Sequence, residues 1–216
     1  MVQGILAVWT DVAPEREAAF NDWYNRQHLA ERRDAPGFLS AARYRAISGR
    51  PRFLAWYRLE SPDVLSAPGY RRLLDEPTPE TRAIMPQFRR TIRAPLRVAA
   101  MAGRGMGGVM ATLRIRPGAG REAMLEQRIA AALPDLAAAP DLLSAELWCR
   151  AEEPVNNSAE AVLRGPDAVL DLAVAVHAAE AGAARTAIAA TLGREALRAA
   201  GAAAVTVGLY RLLAAM

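Results

Sequence analysis

A chain of 216 residues, 52% hydrophobic and 23% charged, has material for one large globular core or two small ones. Its formal charge of +4 rests on 27 basic residues that are all arginine, and the lack of lysine excludes Schiff-base chemistry and a phosphate-loop lysine. The single cysteine, Cys149, excludes an internal disulfide and a cysteine-rich zinc site; two histidines, His28 and His177, are too few for a multi-imidazole centre, so no metal site is expected.

In chain order, the start has no basic stretch ahead of its short apolar run and meets Asp11 early, which does not fit a leader peptide. No later run stays uncharged long enough to span a bilayer, so the expectation is a cytoplasmic protein without a membrane partner. Ile5, Ala7 and Trp9 alternate with Leu6 and Val8 in a strand with two apolar faces, and Pro14 starts a helix running to about Arg32. Pro36-Gly37 turns the chain into a strand reaching about Ile47, Ser48-Gly49 closes a hairpin, and Phe53–Leu59 forms the next strand. Proline-interrupted helix follows from Pro62-Asp63, then a strand from about Phe88 to Leu96. After the glycine-rich stretch Gly103–Gly108 the same order is expected again. Strands lie at Val109–Ile115, Leu142–Arg150, Ala159–Leu163 and Val205–Leu212, and helices at Arg121–Leu133 and over the long stretch Pro166–Ala200, which carries His177. Cys149 shares a strand face with Leu143, Ala145 and Leu147 and reads as a buried, inert thiol.

The two halves match without gaps at a shift of 104 positions. Gly4 pairs with Gly108, Pro36 with Pro140, Leu39-Ser40-Ala41 with Leu143-Ser144-Ala145, Tyr44 with Trp148, and Pro62-Asp63 with Pro166-Asp167. Arg16-Glu17-Ala18 matches Arg121-Glu122-Ala123 at 105, a slip assigned to a loop. Each copy reads β-α-β-β-α-β, a ferredoxin-like unit. Residues 1–102 form the first unit, 103–107 the linker and 108–216 a degenerate second unit acting as scaffold. Strands apolar on both faces need cover on both, so the expected class is α+β, with two tandem ferredoxin-like units packed sheet to sheet as one intrachain barrel. The pair imitates a dimer, and whether it associates with a second copy stays open. Up to Gly103 there are 16 arginines against 11 acids, and beyond it 11 against 12. The arginines are scattered among acids rather than clustered with aromatics, so no nucleic-acid partner is expected. The alanine- and arginine-rich, lysine-free composition suggests a GC-rich bacterial genome.

The segment from Phe20 through Trp23-Tyr24-Asn25 and Gln27-His28-Leu29 to Arg32, followed by Pro36-Gly37-Phe38 and Ala42-Arg43-Tyr44-Arg45, resembles the dimeric α+β barrel superfamily, most closely its EthD-like bacterial members. Gln27 stands where that pattern has an acid and Ala30 where it has proline. The resemblance implies small-molecule work in a cleft between sheet and helices, in a superfamily that includes cofactor-independent monooxygenases, isomerases and haem-linked enzymes.

Set against the second copy, Phe20, Tyr24, Gln27 and Glu31 fall on the apolar stripe Leu125, Ile129, Ala132 and Leu136, and Arg43 and Arg45 fall on Leu147 and Cys149. Polar groups in place of hydrocarbon point to a cleft in the first half only. The catalytic candidates are His28 as general acid or base, Tyr24 to orient substrate and Arg43 to stabilise an enolate or carboxylate. Asn21, Gln27, Arg32, Arg45 and Trp23 are the substrate-binding candidates. The bland alternatives are a histidine complementing the helix dipole, aromatic core packing for Phe20 and Trp23, and Arg43 and Arg45 paired with Asp22, Glu31 or Asp34. The functional expectation is a small-molecule enzyme, oxygenase- or isomerase-like, that needs no cofactor. A non-catalytic binding or assembly protein is the alternative, and a haem enzyme with His28 as ligand the third reading.

Overall fold

The computed structural model describes residues 2–153 and 156–216. Eight strands close into an antiparallel barrel: β1 (Gly4–Asp11), β2 (Phe38–Ser48), β3 (Phe53–Leu59), β4 (Arg89–Gly103), β5 (Val109–Pro117), β6 (Leu142–Arg150), β7 (Leu172–Ala178) and β8 (Ala202–Ala215). Around the barrel they follow the order β1-β3-β2-β8-β5-β7-β6-β4, so the two halves join edge to edge at two seams, β2 with β8 and β4 with β6. Closure removes the free edges that each four-stranded sheet would present alone.

Period-two alternation sorts the strand residues into two layers. Ile5, Ala7, Trp9, Tyr44, Leu54, Trp56, Trp148, Ala173 and Tyr210 fill the barrel interior. Leu6, Ala41, Phe53, Ala55 and Tyr57 face outward under the helices of the first half; Leu113, Leu147, Val174 and Val176 do the same in the second. The first-half helices are α1 (Glu17–Trp23), α2 (Leu29–Arg33), α3 (Pro68–Asp75) and α4 (Pro79–Ile84); the second half carries α5 (Glu122–Ala137), α6 (Ala159–Arg164), α7 (Ala181–Thr191) and α8 (Arg194–Ala199). Among the described residues no helix is long and apolar enough to cross a membrane.

The second half departs from the expected order in one place. Ala159–Leu163 is helical, within α6, with Ser158 accepting a hydrogen bond from the Ala161 amide as its cap, and the expected helix Pro166–Ala200 contains β7. Alanine is the best helix former, so Leu172–Ala178 looks helical from composition. Burial between barrel interior and helix layer favours a strand there, and every residue of β7 is buried. Phe38 and Leu142 face Leu59 and Ala178 at equivalent ladder positions, so the shift between the copies grows from 104 at Phe38 to 119 at Leu59. The second copy therefore holds an insertion between β6 and β7, and the match of Pro62-Asp63 to Pro166-Asp167 is coincidental, because the first pair follows its strand and the second precedes it.

The glycine-rich stretch between the halves is packed, not slack. A Cβ on Gly107 would meet the Ala178 carbonyl oxygen at 2.1 Å, whereas one on Gly108 meets nothing within 4 Å. Gly107→Ala is expected to cost about 1–3 kcal/mol in urea unfolding. Gly108→Ala should stay within about 0.5 kcal/mol.

Candidate functional site

Helices α1 and α2 are one continuous helix joined through a π turn at Tyr24–His28. Gly4 and Val109 face the equivalent residues Leu59 and Ala178, so the shift is 105 from the first strand onward and the match of Gly4 to Gly108 is not structural; the change to 104 falls in the π turn, which takes one extra residue, not in a loop. Before it Phe20 and Tyr24 match Leu125 and Ile129 at 105; after it Leu29 and Arg32 match Leu133 and Leu136 at 104, and all eight are buried. The extra residue rotates His28 and Arg32 inward and Gln27 and Glu31 outward, correcting the expectation that Gln27 and Glu31 occupy the apolar stripe.

Beneath this helix lies a small cavity of about 30 Å³ lined by Tyr24, His28, Arg32, Tyr57, Tyr70, Arg93 and Glu160, with Leu6, Val8, Leu74, Met85, Phe88 and Arg164. That volume admits about one water molecule. His28 is 5% exposed; its ring stacks on Trp23 at 4.2 Å between centroids and meets Tyr24 edge-on at 5.0 Å. Its Nδ1 lies 3.6 Å from Oε2 of Glu31, beyond hydrogen-bond length. Burial first, and the Arg32 charge second, lower the imidazole pKa to about 4, so His28 is neutral at pH 7. Tyr57, fully buried, is pushed well above the usual phenol value by burial and then by neighbouring Tyr24, whose own pKa is raised by burial.

Charge in the cavity is balanced by the inserted segment of the second half. Arg32, 2% exposed, donates to Glu160 of α6, and Arg93 makes a two-pronged pair with Glu153 at 2.6 and 2.9 Å. Arg164 pairs with Asp167 in the same fashion at 3.0 and 2.6 Å. Burial works against the Arg32 charge, and Glu160 offsets it.

Of the sequence candidates, the structure brings Tyr24, His28 and Arg32 to this cavity and sets Trp23 behind His28, its Nε1 donating to Thr81 Oγ1 at 3.3 Å. It takes four others elsewhere. Arg43 is buried beside the cavity, donating to the side-chain oxygens of Asn21 and Asn25, with its guanidinium 5.0, 4.6 and 5.4 Å from the Phe20, Tyr24 and Phe53 ring centroids. Amide oxygens and aromatic faces surround it, and among the described residues it makes no ion pair with Asp22, Glu31 or Asp34. Burial lowers the Arg43 pKa to about 10, against the opposing influence of Tyr24, Tyr57 and Glu17. Asn21 is spent on Arg43, Gln27 donates to Thr78 Oγ1 at 2.7 Å where α4 begins, and Arg45 pairs with Glu17 at 3.0 Å on the surface. His177 sits not on a helix but on β7, facing the barrel interior 6.0 Å from the Trp56 ring. Cys149 is buried with its pKa raised to about 12, chiefly by burial, which keeps the thiol protonated.

Sequence reading missed Tyr57, Tyr70, Arg93 and Glu160. One signal was available for Arg93: it faces Val8 as Val207 faces Leu113, so it too is a charge where the second copy has hydrocarbon. The second half carries a larger groove of a different character, about 700 Å³ and mostly apolar, which runs between α7, α8 and β8 with Ile188, Leu192, Val205 and Leu209 in its walls.

No protein-family model matches the chain, and no curated protein matches it in sequence. Solved structures match over its whole length. An anthrone oxidase-like protein is 11% identical with a TM-score of 0.71, over 100% of this chain and 92% of the other. A proposed monooxygenase from Fusobacterium nucleatum is 8% identical with a TM-score of 0.63, over 99% and 94%. Another, from Lactobacillus acidophilus, is 6% identical with a TM-score of 0.63, over 100% and 96%. The chain thus has the dimeric α+β barrel fold, with both ferredoxin-like units in one polypeptide.

The same comparison corrects the cofactor expectation. A proposed chlorite dismutase (9% identical, TM-score 0.52, covering 99% and 96%) and a novel heme-binding protein from Thermus thermophilus (11%, TM-score 0.55, 99% and 92%) share the fold, so the fold does not imply work without a cofactor. Nor does the first-half cavity fit a haem at His28. The space beside that imidazole is about 30 Å³, and its ring lies flat on Trp23. A haem needs an axial nitrogen reaching into a far larger slot.

Proposed function

We propose that the chain is an oxygenase-like enzyme whose reaction centre is the cavity beneath the π turn, acting on a hydroxylated or carbonyl-bearing aromatic molecule. The observation that carries this reading is a buried, neutral His28 set between aromatic rings and Arg32. A base with a pKa of about 4 is weak in the resting protein. An enolate or phenolate forming beside it would oppose the Arg32 charge that helps depress it, so the imidazole gains basicity as the anion develops. Tyr24 and Tyr57, both protonated at neutral pH, can donate to the same oxygen, and Arg32 or Arg93 supplies the balancing charge. Support from outside the chain is the fold shared with an anthrone oxidase-like protein and two proposed monooxygenases.

The size of the cavity favours a second reading, a binding protein without turnover, since about 30 Å³ holds one water molecule and no aromatic ring. One experiment separates the two. Oxygen uptake with anthrone, in which a CH2 group becomes a ketone and O2 supplies that oxygen and one water, is measured for the wild type, His28→Gln and Tyr24→Phe. A loss of about 100-fold in His28→Gln, in a variant with unchanged circular dichroism, supports the enzyme reading. Equal turnover in the variant, or none across a panel of phenols and aromatic ketones with the wild type, rejects it.

A further inference from the structure

On the other face of the sheet from His28, the barrel interior opens at one end into a concavity of about 450 Å³, within the size range of small-molecule sites. Its inner wall comes from strands of both halves. Trp56 and Arg58 lie on β3, Glu146 on β6 and His177 on β7; its rim is Met101, Arg104 and Met106, at the end of β4 and in the glycine-rich connection. Two glycines with left-handed backbone, Gly103 (φ +73) and Gly105 (φ +105), flank Arg104, and Ser144 Oγ donates to the Gly105 carbonyl at 2.8 Å, so the rim is fastened to β6.

The polar groups here are unevenly satisfied. Glu146, buried, accepts from Arg58 Nη2 at 2.6 Å and from Trp148 Nε1 at 2.8 Å, which commits both carboxylate oxygens. His177 is 2% exposed and makes no hydrogen bond among the described residues, its Nδ1 being a buried nitrogen without a partner. A buried polar atom in that state costs free energy unless something meets it. Arg104 is exposed and has no acidic partner among the described residues. Trp56, 4% exposed, forms part of the wall: it meets His177 edge-on at 6.0 Å, lies 6.3 Å from Trp148, and has the Arg58 guanidinium 5.5 Å from its ring centroid. Polarisable surface is supplied by Met101 and Met106, both exposed.

We infer that this mouth is a second ligand site, distinct from the cavity beneath the π turn, and that it takes an aromatic carboxylate bearing a ring hydroxyl. The ring lies against Trp56 and the rim methionines, the carboxylate meets Arg104, and the hydroxyl meets the unpartnered imidazole of His177. An uncharged or saturated analogue forfeits one of these contacts.

The test is titration calorimetry with 4-hydroxybenzoate, using 4-hydroxybenzamide and 4-hydroxycyclohexanecarboxylate as controls. The expected result is saturable 4-hydroxybenzoate binding that weakens about 10-fold in Arg104→Ala, an exposed position whose loss leaves the fold intact. It weakens likewise in His177→Gln, and both controls bind at least 10-fold more weakly. His28→Gln, at the other site, leaves it unchanged. Absence of saturable heat, binding indifferent to Arg104→Ala, or binding lost in His28→Gln overturns the assignment.

Discussion

Acidification from pH 7 to pH 4 is expected to remove roughly 6 kcal/mol of folding free energy through two histidines alone, about 3 kcal/mol each. His28 and His177 are buried neutral, each with its pKa lowered from 6.5 to about 4, with burial the leading cause in both. Around His28, Arg32 and Arg164 add to the depression and Glu31 opposes it; around His177, Arg58 adds and Glu146 opposes. Above pH 6.5 neither the folded nor the unfolded chain binds these protons, and the full stability is present. Between 6.5 and 4 the unfolded chain takes them up and the folded chain does not, so stability falls as pH falls. Below about 4 both states are protonated and this slope ends. Glu31 acts in the same direction, because its carboxyl is held below the usual range, first by the His28 imidazole. Urea unfolding at pH 7, 5.5 and 4 measures the effect, and His28→Gln/His177→Gln should lose most of the slope whatever its stability at pH 7. A double variant with the wild-type slope would mean that both imidazoles titrate normally in the folded protein.

The same two histidines show how far the sequence carries. Strand alternation at Ile5–Trp9, Phe53–Leu59 and Leu142–Arg150 and the 104-position repeat suffice for the barrel, because a strand apolar on both faces must be covered on both. Composition places His177 on a helix because alanine hides the difference between a buried strand and a helix. His28 stands out in the sequence, but a regular helical pattern sets its neighbours one position out of register. The π turn that rotates Arg32 in and Gln27 out leaves no mark on a pattern read at 3.6 residues per turn. Tyr57, Tyr70, Arg93 and Glu160 reach the cavity from elements distant in sequence, and only closure of the barrel brings them together. Glu160 is the extreme case, a residue of the second half that completes a cavity of the first, carried by an insertion that the repeat does not contain.

Glu160 also gives the largest single-substitution effect. Glu160→Ala is expected to destabilise the protein by about 3–5 kcal/mol, because it leaves the Arg32 guanidinium, 2% exposed, without its counter-charge. Replacing both partners, in Arg32→Met/Glu160→Leu, should recover most of that loss or exceed the wild type by about 1–4 kcal/mol, since neither charge then has to be desolvated. A double-variant cycle in urea measures the coupling, and additive losses would show that the pair is not an interacting unit. The single variant carries a functional consequence. With Glu160 gone, Arg32 faces the aromatic cavity as an unpaired cation, so benzoate should raise the Tm of Glu160→Ala, by the equivalent of about 2.7 kcal/mol at 100 times its Kd, and leave the doubly substituted protein unmoved. That contrast bears directly on how substrate enters. A Tm rise confined to Glu160→Ala would show that the Glu160 carboxylate occupies the position a ligand's own anionic oxygen would take, so that opening the site and binding substrate are an exchange of one anion for another at Arg32. Equal shifts in all three proteins would place benzoate away from this cavity and remove Arg32 from the proposed reaction centre.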